Sequence, residues 1–127
     1  MAEHMQIGEV AERTGLSQRT IRYYGEVGLV TPSSRTDGGF RLFTEDDVSR
    51  LEVIKKMKPL EYSLEEMREV LEVIAELDAG PPAARRAELA GRLTSVRAAA
   101  AERRDRLVAK LAAAESFIDR LDEYTSR

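Results

Sequence analysis

The chain has 127 residues, room for one compact domain with an appendage, since domains commonly run to roughly 100–150 residues. Cysteine is absent, which excludes disulfides, thiolate nucleophiles, thiol redox sensing and sulfur-based metal sites, and the single histidine, His4, sits too near the start to anchor catalysis or a metal. A net charge of −3 excludes a protein that coats nucleic acid indiscriminately. Without a long apolar run, or an apolar secretory stretch in residues 1–7, a cytoplasmic protein with no membrane partner is expected.

Ile7, Val10 and Ala11 recur at helical spacing and Gly15 follows Thr14, so a first short helix ends there. Ser17 is a good N-cap for a second helix over residues 18–26, with Ile21 facing inward and Gly28 as the stop. Residues 29–43 change character: Pro32, a polar stretch over residues 33–37, Gly38 and Gly39, then Phe40, Arg41, Leu42 and Phe43. This pattern predicts a small β-hairpin wing.

Thr44 with Asp47, and Ser63 with Glu66, resemble capping boxes that open a third and a fourth helix. Val48, Leu51, Ile54 and Met57 line one face of the third, which Pro59 closes; Leu64, Met67, Leu71 and Ile74 line the fourth, which runs to about Leu77. Residues 78–82 break the pattern. From Ala83 to Tyr124 only Gly91 interrupts a helix of roughly 60 Å. Along it Leu93, Val96 and Ala100, then Leu107, Leu111, Ala114, Ile118 and Leu121, repeat at alternating steps of four and three, with a stutter at Arg103 and Arg104.

Such a stripe needs a partner. It could fold back on its own N-terminal domain, but the helix overshoots a domain of some 75 residues, whose radius of gyration is about 11 Å. Dimerisation is therefore expected through those eight residues. The organisation predicted is a mainly α chain: residues 1–77 a winged helix-turn-helix domain with a helical extension, 78–82 a linker, and 83–127 a dimerisation coiled-coil helix.

The chemistry lies in the second helix. Two short helices joined at Gly15 and Leu16 have a helix-turn-helix layout, in which the second helix enters the major groove. Residues 17–24 read SQRTIRYY, where Gln18 and Arg19 or Arg22 can meet adenine and guanine edges, and Arg and Tyr can bind phosphates. Between Arg13 and Arg41, five arginines stand against Glu26 and Asp37, a local net charge of +3.

The strings IGEVAERTGLSQRTIRYY, VGLVTPSSRTDGGFRLFTEDDVSRL and YSLEEMREVL resemble the MerR-type transcription regulators, continuously over residues 5–71. The resemblance implies a homodimer whose C-terminal helices form an antiparallel coiled coil, holding two winged units on a pseudo-palindromic operator in double-stranded promoter DNA. It also implies that the DNA is bent and untwisted to align promoter elements for RNA polymerase, a form of indirect readout.

Carried over by position, Ser17, Gln18, Arg19 and Thr20 face the groove, Arg22 and Tyr23 lie near base edges or phosphates, and Arg35, Gly39, Phe40 and Arg41 form the wing, with Arg41 on the phosphate backbone. Tyr24 belongs to the same group, with core packing as an equal alternative, and Phe40, lacking a hydroxyl, is expected to pack. Three positions depart from the family pattern: Gly25 replaces an acidic residue, Phe40 and Phe43 replace wing tyrosines, and Glu61 stands where glycine often precedes the aromatic residue, here Tyr62.

Without cysteines, metal and redox sensing of the family type is disfavoured, and no cofactor or metal is expected. No drug-sensing domain follows Arg127 in this sequence. A small-molecule effector is therefore left unassigned: the protein works without one, holds a pocket at the dimer interface, or is part of a longer regulator. Catalysis lacks any nucleophile–base pair, carboxylate pair or phosphate-binding glycine loop. An architectural winged-helix protein of the recombination-factor type, the main alternative, would not need the long helix. A coiled-coil adaptor would have lost the basic face.

Overall fold

The structure, a computed structural model, describes residues 4–32 and 34–127. Expectations for residues 1–3 and for Ser33 in the wing lie outside them. In chain order the elements are β1 (Met5–Gln6), α1 (Ile7–Thr14), α2 (Gln18–Glu26), β2 (Ser34–Arg35), β3 (Arg41–Phe43), α3 (Glu45–Met57), a 3-10 turn (Lys58–Leu60), α4 (Leu64–Asp78) and α5 (Ala83–Thr125). The chain forms two compact units, the first ending at Gly80 and the second running from Pro81 to Arg127.

Local chemistry sets the joints of the first unit. Helix α1 ends because Gly15 adopts a left-handed conformation, φ 74°, and its N–H donates to Ala11 O at 2.9 Å. Buried Thr14 secures the turn, donating from its hydroxyl to Val10 O and accepting from Leu16 N. Lys55 of α3 donates to Thr14 O, tying the turn to the next layer. Both capping boxes form, at Thr44–Asp47 and at Ser63–Glu66.

The core collects Val10 from α1, Ile21 from α2, Phe43 from β3, and Leu51 and Ile54 from α3, none more than 1% exposed. The face expected on α3, Val48, Leu51, Ile54 and Met57, is buried throughout. On α4 the pattern shifts: Leu64 is 38% exposed, whereas Met67, Val70, Leu71 and Val73 are buried. Leu64 is the first residue of its helix, where one side has no preceding turn to cover it.

The hairpin wing forms as an antiparallel pair with Ser34 opposite Leu42 and Arg35 opposite Arg41. Beyond the predicted hairpin there is a third strand: Met5 and Gln6 pair with Phe43 and Leu42, giving sheet order β1-β3-β2. Two residues are too few to show alternation, so only the tertiary pairing reveals β1.

Helix α5 runs unbroken for 43 residues, through Gly91 and through the stutter at Arg103 and Arg104. Pro82 precedes its first turn, where a missing N–H costs nothing. Leu93, Val96 and Ala100 are half-buried, while Leu107, Leu111, Ala114, Ile118 and Leu121 are exposed. Val108, Phe117 and Tyr124, outside the expected stripe, are also exposed.

Candidate nucleic-acid interface

Helix α2 has two sides of opposite chemistry. Ile21 and Tyr24 point into the core, and on the opposite side, at 100° per residue, Gln18, Arg19, Arg22 and Tyr23 face solvent. Ser17 caps the helix: its Oγ accepts from Thr20 N at 3.0 Å, and the two hydroxyls are hydrogen-bonded at 2.9 Å. Thr20 is half-buried. Arg22 Nη2 donates to Gln18 Oε1 at 3.2 Å, one turn away, so the two groups suited to base edges already sit side by side.

Of the two roles open to Tyr24, its burial fits the core one, with 3% of its surface exposed. Its neighbour Tyr23 is 44% exposed, and the rings lie 5.8 Å apart at 54°. The carbonyl of Tyr24 accepts from Leu29 N and Val30 N, so this residue fastens the end of α2 to the chain leading into the wing.

Phe40 departs from its expected packing. Expected to pack, it is 64% exposed, its ring beside Gly38 at the wing tip. The turn is built around Thr36, whose N–H donates to Phe40 O and whose carbonyl accepts from Gly39 N, with Gly39 at φ 82°. Arg35 Nη1 donates to Gly39 O at 3.2 Å. Directly opposed residues of an antiparallel pair share a face, so Arg35 and Arg41 set two guanidinium groups on one face of the wing. Like charges so placed repel, and an anion between them relieves the repulsion.

Arg13, counted in the local positive charge, is committed elsewhere. Its guanidinium forms a two-pronged ion pair with Glu45, at 2.5 and 2.8 Å, joining α1 to the start of α3. That hydrogen bonding holds the Glu45 carboxyl below its usual value, against a smaller opposing effect of desolvation and with the charge of Arg13 adding to the lowering.

Two residues not singled out by sequence pattern join the surface. Lys58 and Tyr62, from the connection between α3 and α4, line one recess with Arg19, Thr20 and Tyr23. For Lys58 the only signal was a lysine between the two capping boxes, whereas Tyr62 is the aromatic residue of the family pattern, given no site role by it. Glu61, beside Tyr62, has φ 61°, the left-handed conformation that glycine adopts without strain. Among the described residues no group of three or more His, Cys, Asp or Glu side chains is placed to hold a metal ion, and no helix is long and apolar enough to cross a membrane.

Two helices at a tight glycine turn, a second helix with a polar outer side, and a hairpin beside it define a winged helix-turn-helix protein of mainly α class, followed by a helical pair and a long C-terminal helix. Residues 5–73 match the MerR HTH family of regulatory proteins, and the chain belongs to that family. The HTH-type transcriptional regulator YfmP of Bacillus subtilis (strain 168) is 47% identical over 77 residues, which cover 60% of this chain and 55% of that protein. Among solved structures, the N-terminus of MtaN, the Bacillus subtilis multidrug transporter activator, is similar with TM-score 0.61 and 28% identity, over 94% of this chain and 95% of that one. HiNmlR, a MerR family regulator lacking the sensor domain and solved bound to promoter DNA, is similar with TM-score 0.53 and 26% identity, over 83% and 79% of the two chains. The chain spans about half the length of the curated relatives it matches. A family of regulators favours regulation over the architectural alternative.

Proposed function

We propose that this protein is a sequence-specific regulator of transcription that binds double-stranded promoter DNA as a homodimer. The observation that carries the reading is the exposed side of α2, where Gln18, Arg19, Arg22 and Tyr23 stand together opposite a buried Ile21 and Tyr24. In this reading α2 lies in the major groove, with the Gln18–Arg22 pair at base edges. Arg35 and Arg41 on the wing, and Lys58 and Tyr62 beyond α2, hold phosphates on either side and set the register.

The family resemblance and the exposed stripe on α5 support the second half of the proposal. Leu107, Leu111, Ile118 and Leu121 lie within about 80° of one another around the helix axis, the width of a coiled-coil seam. Two such helices, antiparallel, would hold two winged units at a fixed separation on a pseudo-palindrome. The dimer bends and untwists the DNA so that RNA polymerase meets two aligned promoter elements, and works in the cytoplasm by binding alone, with no cofactor.

Fluorescence anisotropy tests this with the duplex upstream of the protein's own gene and a scrambled duplex, over a salt series. The proposal expects preference for the native duplex and a steep loss of affinity with salt, since each phosphate contact releases counterions. Arg22→Ala should keep the dimer and weaken binding by about 1–3 kcal/mol, the discrimination of a good bidentate base contact. Unchanged affinity in this variant would remove Arg22 from the interface.

A further inference from the structure

Within the first unit, a cavity of about 410 Å³ lies between the segment that follows α2 and the pair α3–α4. Small-ligand sites span roughly 300–1,000 Å³, so its size suits a small molecule. Leu29, Pro32 and Leu71 supply apolar wall, and two guanidinium groups line it, Arg50 from α3 and Arg68 from α4.

Arg50 is only partly satisfied. Its Nη1 donates to Asp47 Oδ1 at 3.2 Å, and Asp47, buried, accepts through Oδ2 from Thr44 N in the capping box. Arg50 Nε is buried and has no hydrogen-bond partner. Nε is closed to the cavity, so a ligand meets Arg50 through the part of its side chain that lines it, and a carboxylate answers a guanidinium best because its two oxygens match the fork of N–H groups. Arg68 donates to Val27 O at the end of α2, which leaves it further donors, since a guanidinium carries five.

The charge around the cavity selects among anions. Asp47 and Glu72 balance Arg50 and Arg68, so the lining is net neutral and a monoanion adds half the excess negative charge that a dianion such as phosphate would. We propose that this cavity binds a small monocarboxylate with an apolar body, its carboxylate held by Arg50 and Arg68. Because Arg68 also grips Val27, occupancy of the cavity bears on how firmly the end of α2 is held. That consequence rests on the DNA-binding reading; binding of the carboxylate does not.

The experiment is a titration of the full chain, without DNA, with cyclohexanecarboxylate, followed through the arginine Nε–Hε signals in ¹H–¹⁵N spectra. Saturable shifts of the Arg50 and Arg68 signals are expected, with little response to the isosteric neutral cyclohexanecarboxamide. Arg68→Gln should weaken binding about tenfold or more, the usual weight of one hydrogen bond to a charged group. If acid and amide bind alike, if neither arginine signal moves at millimolar acid, or if a folded Arg68→Gln variant binds unchanged, the proposal is overturned. The acid–amide comparison uses the unmodified protein and decides the matter even where the variant does not fold.

Discussion

The first unit and helix α5 meet the same problem, apolar surface in water, in opposite ways. In the first unit Val10, Ile21, Phe43, Leu51 and Ile54 come from four different elements and close over one another, so the sheet and short helices cover themselves. Helix α5 keeps Leu107, Val108, Leu111, Phe117, Ile118, Leu121 and Tyr124 exposed along its second half. Burying each such side chain stabilises by roughly 1.5–3 kcal/mol, which is ample drive for association. The contrast separates two sources of stability: one within the chain, the other, in the proposed dimer, between chains.

The strongest way to break that contrast is to place charge in the α5 stripe. Leu107→Asp with Leu111→Asp should give a monomer by light scattering and leave the amide spectrum of the first unit in place. Operator affinity should fall by about 10²–10⁴, because two winged units no longer bind as one. A dimer that survives both substitutions would put the interface elsewhere.

Next in size is damage to the self-covered core. Leu51 is fully buried, and Leu51→Ala should cost about 2–5 kcal/mol in urea unfolding monitored by first-unit signals. The contrast predicts that the variant, while folded, is still dimeric.

A smaller effect is expected at Glu61, held at φ 61°. Glu61→Gly removes the steric cost of the left-handed conformation, partly offset by glycine's greater freedom when unfolded, and should stabilise the first unit by about 1 kcal/mol. A lower midpoint in urea would show that the Glu61 side chain contributes more than its backbone conformation costs.

The smallest effect concerns pH. The Glu45 carboxyl is lowered in the folded state by Arg13, so its contribution is present above the unfolded value, about 4.3, and is lost as pH falls through the folded one. Both groups are substantially exposed, which keeps the contribution modest. Arg13→Met should therefore be less stable than the parent near neutrality and converge with it in acid. A gap that persists in acid would point to packing instead of charge.

Much of this was legible in the sequence because the signals were local. Gly15, Ser17, and the two capping boxes mark helix ends by chemistry confined to a few residues, and α1 to α4 fall where that chemistry puts them. What the sequence hid depends on distant partners. Strand β1 exists only through its pairing with β3, and Tyr24 is a core residue only in the folded arrangement that buries it. Lys58 and Tyr62 reach the α2 surface only through tertiary packing. Phe40 misled by its chemistry, since an aromatic ring without a hydroxyl suggests a core, yet the turn at Thr36–Gly39 carries it outward.

The most direct test of the account is the mass of the protein–DNA complex, measured by light scattering on the duplex that anisotropy identifies. Two chains per duplex are predicted, and still two, more weakly bound, on a duplex cut to a single half-site. One chain on the full duplex would contradict the proposed dimer.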